Sequence, residues 1–247
     1  TSRLYNAMGC SAHARRAWVV ASTYAAHRRA FGRPIQDFAQ TAETLAWMRS
    51  DAVACLAGSL WLIRLAEELE SGKLTEAEQA FFRVAVNLNK MRTSVLAHEA
   101  VNRGIEVLGG NGAIESFSIL PRLLRDNVVY ENWEGAHNVL RAQVLRDCMK
   151  LGVHRGFFAV LRERLGERFG SELDTDLAAL ESTLKETNEG LRDLSFRRLA
   201  DRMATWIMIG GMTPRPELSP ELELSRRHLS ELPIDADYLR WIEALRR

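Results

Sequence analysis

The chain has 247 residues, 47% hydrophobic and 26% charged, with 16 Gly and 6 Pro, an ordinary globular composition that excludes collagen, a disordered chain and a peptide-sized scaffold. Its 33 Lys and Arg against 32 Asp and Glu leave a net charge of +1. No whole-chain field therefore points to nucleic acid or an anionic membrane, and no stretch approaches the roughly 18 apolar residues that a membrane span needs.

The first residues, Thr1 to Asn6, lack an initiator methionine and begin a helix-like pattern at once, as expected of a piece of a longer protein. Prolines at 34, 121, 214, 216, 220 and 233 leave two long proline-free stretches that favour helices. The pattern predicts a helix from Leu4 to Ala30, stopped by Gly32-Arg33-Pro34. A second runs from Phe38 to Glu70, with Leu45, Met48, Ala52, Leu56, Leu60 and Ile63 as its apolar stripe, and Gly72 closes it. Thr75 and Glu78 form a capping box that opens a helix to Leu108. Gly109-Gly110-Asn111-Gly112 reads as a loop, Ser118 to Asp126 as a short helix, Val128 to Gly135 as irregular, and Ala136 as the start of a further helix past Leu145.

Beyond Gly152 come helical segments over 155–168, 172–188 and 190–209, in which Met203, Trp206, Ile207 and Ile209 form a core stripe. A turn from Thr213 to Pro220 follows, then a short helix capped by Ser219 and a last one opened by Asp235. There is no β-alternation of useful length. The expected fold is all-α, an antiparallel bundle over 1–151 with a helical extension over 152–247. The cysteines Cys10, Cys55 and Cys148 form neither a metal pair nor a disulfide framework, which suits a reducing, cytoplasmic setting. The six histidines show no metal-ligand spacing, so no metal is expected.

Four words carry a resemblance: RRAFGRPIQDF (Arg28 to Phe38), IEVLGGNGAIE (Ile105 to Glu115), PRLLRD (Pro121 to Asp126) and ENWEGAHN (Glu131 to Asn138). In order and spacing they resemble the C-terminal helical domain of the flavin-dependent acyl-CoA dehydrogenases. In that family an N-terminal helical domain and a middle β-domain precede the bundle, and neither has a counterpart here. The resemblance therefore implies a missing N-terminal half or a partner chain. It also implies FAD as cofactor, an acyl-CoA substrate, a homodimer or homotetramer, and an electron-transferring flavoprotein as acceptor, in fatty acid metabolism.

By the same resemblance the catalytic base is Glu134, in Trp133-Glu134-Gly135. It removes an α-proton from the thioester while a hydride leaves the β-carbon for flavin. A carboxylate in a dry pocket gains the basicity this needs. Some members carry the acid instead just before an arginine that matches Arg3, but that residue is Ser2 here. Arg28 and Phe31 would reach the flavin pyrophosphate and adenine of a neighbouring subunit, since a guanidinium donates to diphosphate in pairs. Gly109, Gly110 and Gly112 would let backbone approach that flavin, and Asn138 would add a cofactor contact. Arg3, Trp133 and Gly135 would line the acyl site. Read without the resemblance, Glu134 is an acid near a helix start, Arg28 a helix-end cation, the glycine loop a simple turn and Arg3 a surface charge.

Three positions depart from the family pattern: Glu106 where Gln is common, Ala136 where Thr is common, and Trp133 where Tyr is frequent. The last, with the extension, points toward the alkylation-response flavoproteins. Two competing readings follow: a non-enzymatic helical oligomerisation or partner-binding module, or an alkylation-response-type flavoprotein that associates with nucleic acid. Residues 151–247 carry 15 basic and 17 acidic side chains, which does not favour nucleic acid. Arg192, Arg197, Arg198 and Arg202 could form a basic stripe, but Glu189, Asp193 and Asp201 can neutralise it.

Overall fold

A computed structural model describes residues 2–230 and 233–246. Three long helices, α1 (Ser2–His27), α2 (Ala39–Glu70) and α3 (Glu76–Leu108), form its centre. Along α1 the residues Ala7, Ala14, Ala17, Ala21 and Ala25 are fully buried, so a seam of small side chains lets α2 and α3 approach closely. The capping box is present: Glu78 N donates to Thr75 Oγ1 (3.3 Å), and Thr75 N donates to Glu78 Oε2 (2.8 Å). Shorter helices follow as α4 (Leu120–Asn132) and α5 (His137–Leu151).

Four local expectations are corrected. First, α1 ends at His27 rather than Ala30, because Arg29–Ala30 (β1) and Arg33–Pro34 (β2) pair as a small antiparallel hairpin. Pro34 forces its predecessor into extended backbone, which draws the chain out of the helix earlier. Second, Val128 to Asn132 is helical rather than irregular. Asn127 at the middle of α4 is fully buried and donates to the Ser94 carbonyl (3.0 Å), so packing overrides the poor helix propensity of two valines. Third, Ser219 is the first residue of α9 (Ser219–Arg226), not its cap, because the 3₁₀ turn Pro216–Leu218 runs directly into it.

The fourth correction concerns α2. Leu45, Met48 and Ala52 are buried as expected, but Leu56 and Leu60 are exposed. The buried positions become Cys55, Gly58, Ser59, Leu62 and Leu65, the side on which Gly58 meets Met208. A helix that is apolar on several sides lets its neighbours choose which stripe is covered.

Gly152, left-handed at φ +64, separates α5 from the extension, which comprises α6 (Val153–Leu165), α7 (Gly170–Lys185), α8 (Glu189–Met212), α9 and α10 (Ala236–Leu245). The apolar core continues across this joint. Phe157 of α6 stacks on Phe81 of α3, with centroids 5.2 Å apart, and Met203, Trp206, Ile207 and Ile209 of α8 are all buried in the same cluster. Trp206 Nε1 donates to Asp176 Oδ2 (2.7 Å), so its polar handle is satisfied. Asp235 caps α10 by accepting from Tyr238 N (2.9 Å). A second tie joins extension to bundle at the fully buried Asp51, which receives Arg103 NH1 (2.9 Å) and lies 2.9 Å from His228 Nε2. Among the described residues no helix is long and apolar enough to cross a membrane.

Two predictions follow from this core. Phe157→Ala removes an aromatic ring packed from both sides of the joint and should cost about 3–5 kcal/mol in urea unfolding; a loss below about 1 kcal/mol would show that the bundle does not depend on the extension. Burial also holds His13, His137 and His154 below the ordinary imidazole value of 6.5. The unfolded chain takes up these protons first, so stability is complete above about pH 6.5 and falls as the pH drops below it. The urea midpoint should be lower at about pH 5.5 than at about pH 7.5, and an unchanged midpoint would contradict this.

Candidate active site

The chain turns sharply between α4 and α5. Trp133 N closes α4 on the Val129 carbonyl (2.8 Å), after which Glu134 adopts φ +62 and Gly135 φ +114. At Gly135 a Cβ would lie 2.8 Å from Leu140 Cδ2, so a side chain there would displace the end of Leu140, and the positive φ itself favours glycine. Glu134 has a Cβ, and its left-handed conformation costs about 1–2 kcal/mol. Such a conformation persists only where surrounding contacts impose it.

Those contacts come from α1 and α3. Arg3 Nε donates to the Glu134 carbonyl (3.1 Å), and its other nitrogens donate to Asn87 Oδ1 and, at 3.3 Å, to Gln143 Oε1. Lys90, fully buried in the middle of α3, donates through Nζ to the carbonyls of Glu131 and Gly135, both at 2.9 Å. Burial pulls its ammonium below the ordinary lysine value; among its charged neighbours Arg3 adds to that effect, and the Glu131 and Glu134 carboxylates oppose it. Ser2 Oγ donates to Glu134 Oε2 (2.7 Å), so the residue before Arg3 holds the carboxylate. His137 Nε2 lies 3.2 Å from Ser94 Oγ at the start of α5, and Trp133 is 63% exposed beside the carboxylate. The structure thus brings Arg3, Trp133, Glu134 and Gly135 together at one corner. Asn138 sits in the first turn of α5 next to it, accepting from Arg141 NH1 (3.2 Å).

The remaining candidates lie at the other end of α1. Phe31 caps the β1–β2 hairpin at φ +50 and is 96% exposed; Arg29 NH2 braces the turn through the Gly32 carbonyl (2.6 Å). Arg28 is exposed just before the hairpin. Phe31, Ile35, Phe38, Thr41, Glu106 and Val107 line a cleft of about 340 Å³. Gly109 and Gly110 have open space where a Cβ would be, whereas a Cβ on Gly112 would meet the Ile105 carbonyl oxygen at 2.4 Å. Asn111 Nδ2 donates to Tyr24 OH (3.5 Å), which places the glycine loop beside the last turns of α1. With α1 spanning 26 residues, the two groups of candidates are separated by about 39 Å along its axis.

A family model described as "Acyl-CoA dehydrogenase, C-terminal domain" matches residues 1–149. The chain belongs to the acyl-CoA dehydrogenase family. It is 33% identical over 145 residues to acyl-CoA dehydrogenase family member 11 of Caenorhabditis elegans, a match covering 59% of this chain and 23% of that protein. A second match, to the putative acyl-CoA dehydrogenase AidB of Escherichia coli, is 30% identical over 188 residues and covers 75% of this chain and 33% of the relative. Among solved structures, C. elegans ACDH-11 in complex with C11-CoA superposes with a TM-score of 0.72 at 26% identity, covering 97% of this chain and 44% of that one. The chain therefore spans a quarter to a third of these curated relatives and under half of the solved structure.

Sequence reasoning missed Lys90, Asn87 and Gln143, the residues that brace the corner. A signal was present, since Asn87 and Lys90 interrupt the buried face of α3 set by Val84, Leu88 and Met91, and a polar residue at a core position asks for a buried partner. The basic stripe of α8 is not neutralised by the acids the sequence suggested: Arg202 pairs with Asp176 (2.7 Å) and Arg192 with the Glu186 carbonyl (3.1 Å), while Asp201 is taken by Arg141 of α5 (2.7 Å), and Arg197 and Arg198 are exposed.

The glycine loop offers a paired test. Gly112→Ala drives a Cβ into the Ile105 carbonyl and should cost about 1–3 kcal/mol in urea unfolding, whereas Gly110→Ala, facing open space, should stay within about 0.5 kcal/mol. Equal losses for the two would contradict the packing described.

Proposed function

We propose that this chain is the C-terminal part of an FAD-dependent acyl-CoA dehydrogenase and that Glu134 is its catalytic base. One observation carries the reading. Among the described residues only two non-glycine residues have positive φ, Phe31 and Glu134, and each lies at the centre of one group of candidates. Strained backbone of this kind concentrates where function demands a fixed geometry.

The reaction asks for a carboxylate that takes the α-proton of an acyl thioester. As that C–H bond breaks, its electron pair forms the new carbon–carbon double bond and a hydride departs from the β-carbon. Glu134 suits the first role, because its carboxylate is held by Ser2 and projected from a corner whose carbonyls accept from Arg3 and Lys90. The apolar face of Trp133 and the bare backbone of Gly135 would flank the thioester and limit its access to water. Backbone amides near Glu134 would polarise the thioester carbonyl.

The second group fits a flavin dinucleotide. Arg28 offers a guanidinium for diphosphate, the open backbone of Gly109 and Gly110 admits close approach, and Phe31, set edge-on to Phe38, presents an exposed ring to an adenine. Glu106 on the same cleft opposes the diphosphate charge and weakens this affinity. Bound FAD supplies the hydride acceptor. The roughly 39 Å between the groups is beyond one dinucleotide, so a single site reached by both needs a second protomer, and a homodimer or homotetramer follows. An electron-transferring flavoprotein would then reoxidise the enzyme.

The test uses the longer polypeptide that contains this chain. Purified, it should be yellow with bound flavin and oxidise an acyl-CoA. Glu134→Gln should lower turnover by about 10²–10⁴-fold while leaving the flavin spectrum intact. A colourless protein, or a Glu134→Gln variant with full turnover, would overturn the assignment in favour of a helical partner-binding module.

A further inference from the structure

We propose that Lys90 is the positioning residue of the Glu134 corner: its buried ammonium, with the Arg3 guanidinium, holds the left-handed Glu134–Gly135 backbone by tying the carbonyls on either side of it. This rests on Glu134 being the base.

The geometry is specific. Lys90 Nζ meets the carbonyls of Glu131 and Gly135 at equal distances of 2.9 Å, and these two groups bracket the turn. Arg3 Nε takes the Glu134 carbonyl between them (3.1 Å). The last carbonyls of a helix have no partner within it, and buried ones need a donor from elsewhere. An ammonium suits this place because its three donors rotate about a compact centre and can serve two acceptors on different chain directions. An apolar side chain of similar length would fill the same space and leave both carbonyls unsatisfied.

The surrounding charges agree with this role. The groups facing Lys90 are Arg3 on α1, Glu131 at the end of α4, Glu134 in the turn and the thiol of Cys10. Glu131 Oε1 accepts from Asn127 Nδ2 (3.4 Å) and lies 2.8 Å from His98 Nδ1, while Lys90 uses the Glu131 backbone. The lysine thus acts on the main chain of the corner, and through it on the direction of the Glu134 side chain.

The test is a ¹⁹F spectrum of the longer polypeptide that contains this chain, labelled with 5-fluorotryptophan; this chain contributes six tryptophans. Trp133, adjacent to Glu134, reports the corner, and its line is assigned with Trp133→Phe. In Lys90→Met the Trp133 line should shift or split, while those of Trp18, Trp47, Trp61, Trp206 and Trp241 stay in place. Adding Glu134→Gly, which removes the Cβ penalty of the left-handed backbone, should restore a single Trp133 line. Should Lys90→Met fail to fold, Lys90→Leu, which also lacks a donor but is smaller and easier to pack, is read in the same way. An unmoved Trp133 line, movement of all six, or no recovery with Glu134→Gly would overturn the proposal. The spectrum reads conformation and not turnover, so this result and the Glu134→Gln result succeed or fail separately.

Discussion

A lysine ammonium sealed from water must find its partners in the protein, and Lys90 finds them in two main-chain carbonyls. Desolvating a cation is costly unless hydrogen bonds replace its hydration. The same hydrogen bonds make the corner between α4 and α5 a fixed object, because the carbonyls they satisfy stand on either side of Glu134. Arg3 completes the arrangement from the neighbouring helix. The Glu134 side chain is thereby mounted on backbone that cannot relax without leaving buried polar groups unpaired.

The rest of the fold supplies the frame for that corner. The small side chains of α1 bring its backbone close to α3, which puts Arg3 and Lys90 within reach of the same short segment. The extension beyond Gly152 is part of the frame and not an appendage to it. Phe157 stacks on Phe81, Arg141 of α5 pairs with Asp201 of α8 at 2.7 Å, and the buried Asp51 is shared between Arg103 and His228. A buried carboxylate of this kind is costly if either partner is removed, so these contacts join the two segments in register as well as in energy.

The distribution of the candidate residues along α1 bears on assembly. One group stands at its first turn and the other just past its last, facing away from each other by the length of the helix. In the proposed enzyme this separation is the reason for an oligomer: each site draws its base from one protomer and its flavin contacts from another. Glu106 places a carboxylate in the same cleft as Phe31, which in the proposed enzyme would oppose the charge of a diphosphate.

The sequence by itself determined the helical class, the closing of α2 and the start and stop of α3, and the break in the chain at Glu134–Gly135. These features rest on local chemistry: the Thr75–Glu78 box, the Gly72 and Gly109 stops, and the words around Glu134 and Gly112. The Arg29–Pro34 hairpin and the full length of α4 were set by interactions that local propensity does not contain, the extended backbone before Pro34 and the burial of Asn127 against Ser94. Only the tertiary structure decided which stripe of α2 is covered, since that choice belongs to the helix packed against it. It also decided that Lys90 and Arg3 meet at one turn. Residues 3, 90 and 134 are far apart in the chain, and no period or spacing encodes hydrogen bonds made by two helices converging on a single loop.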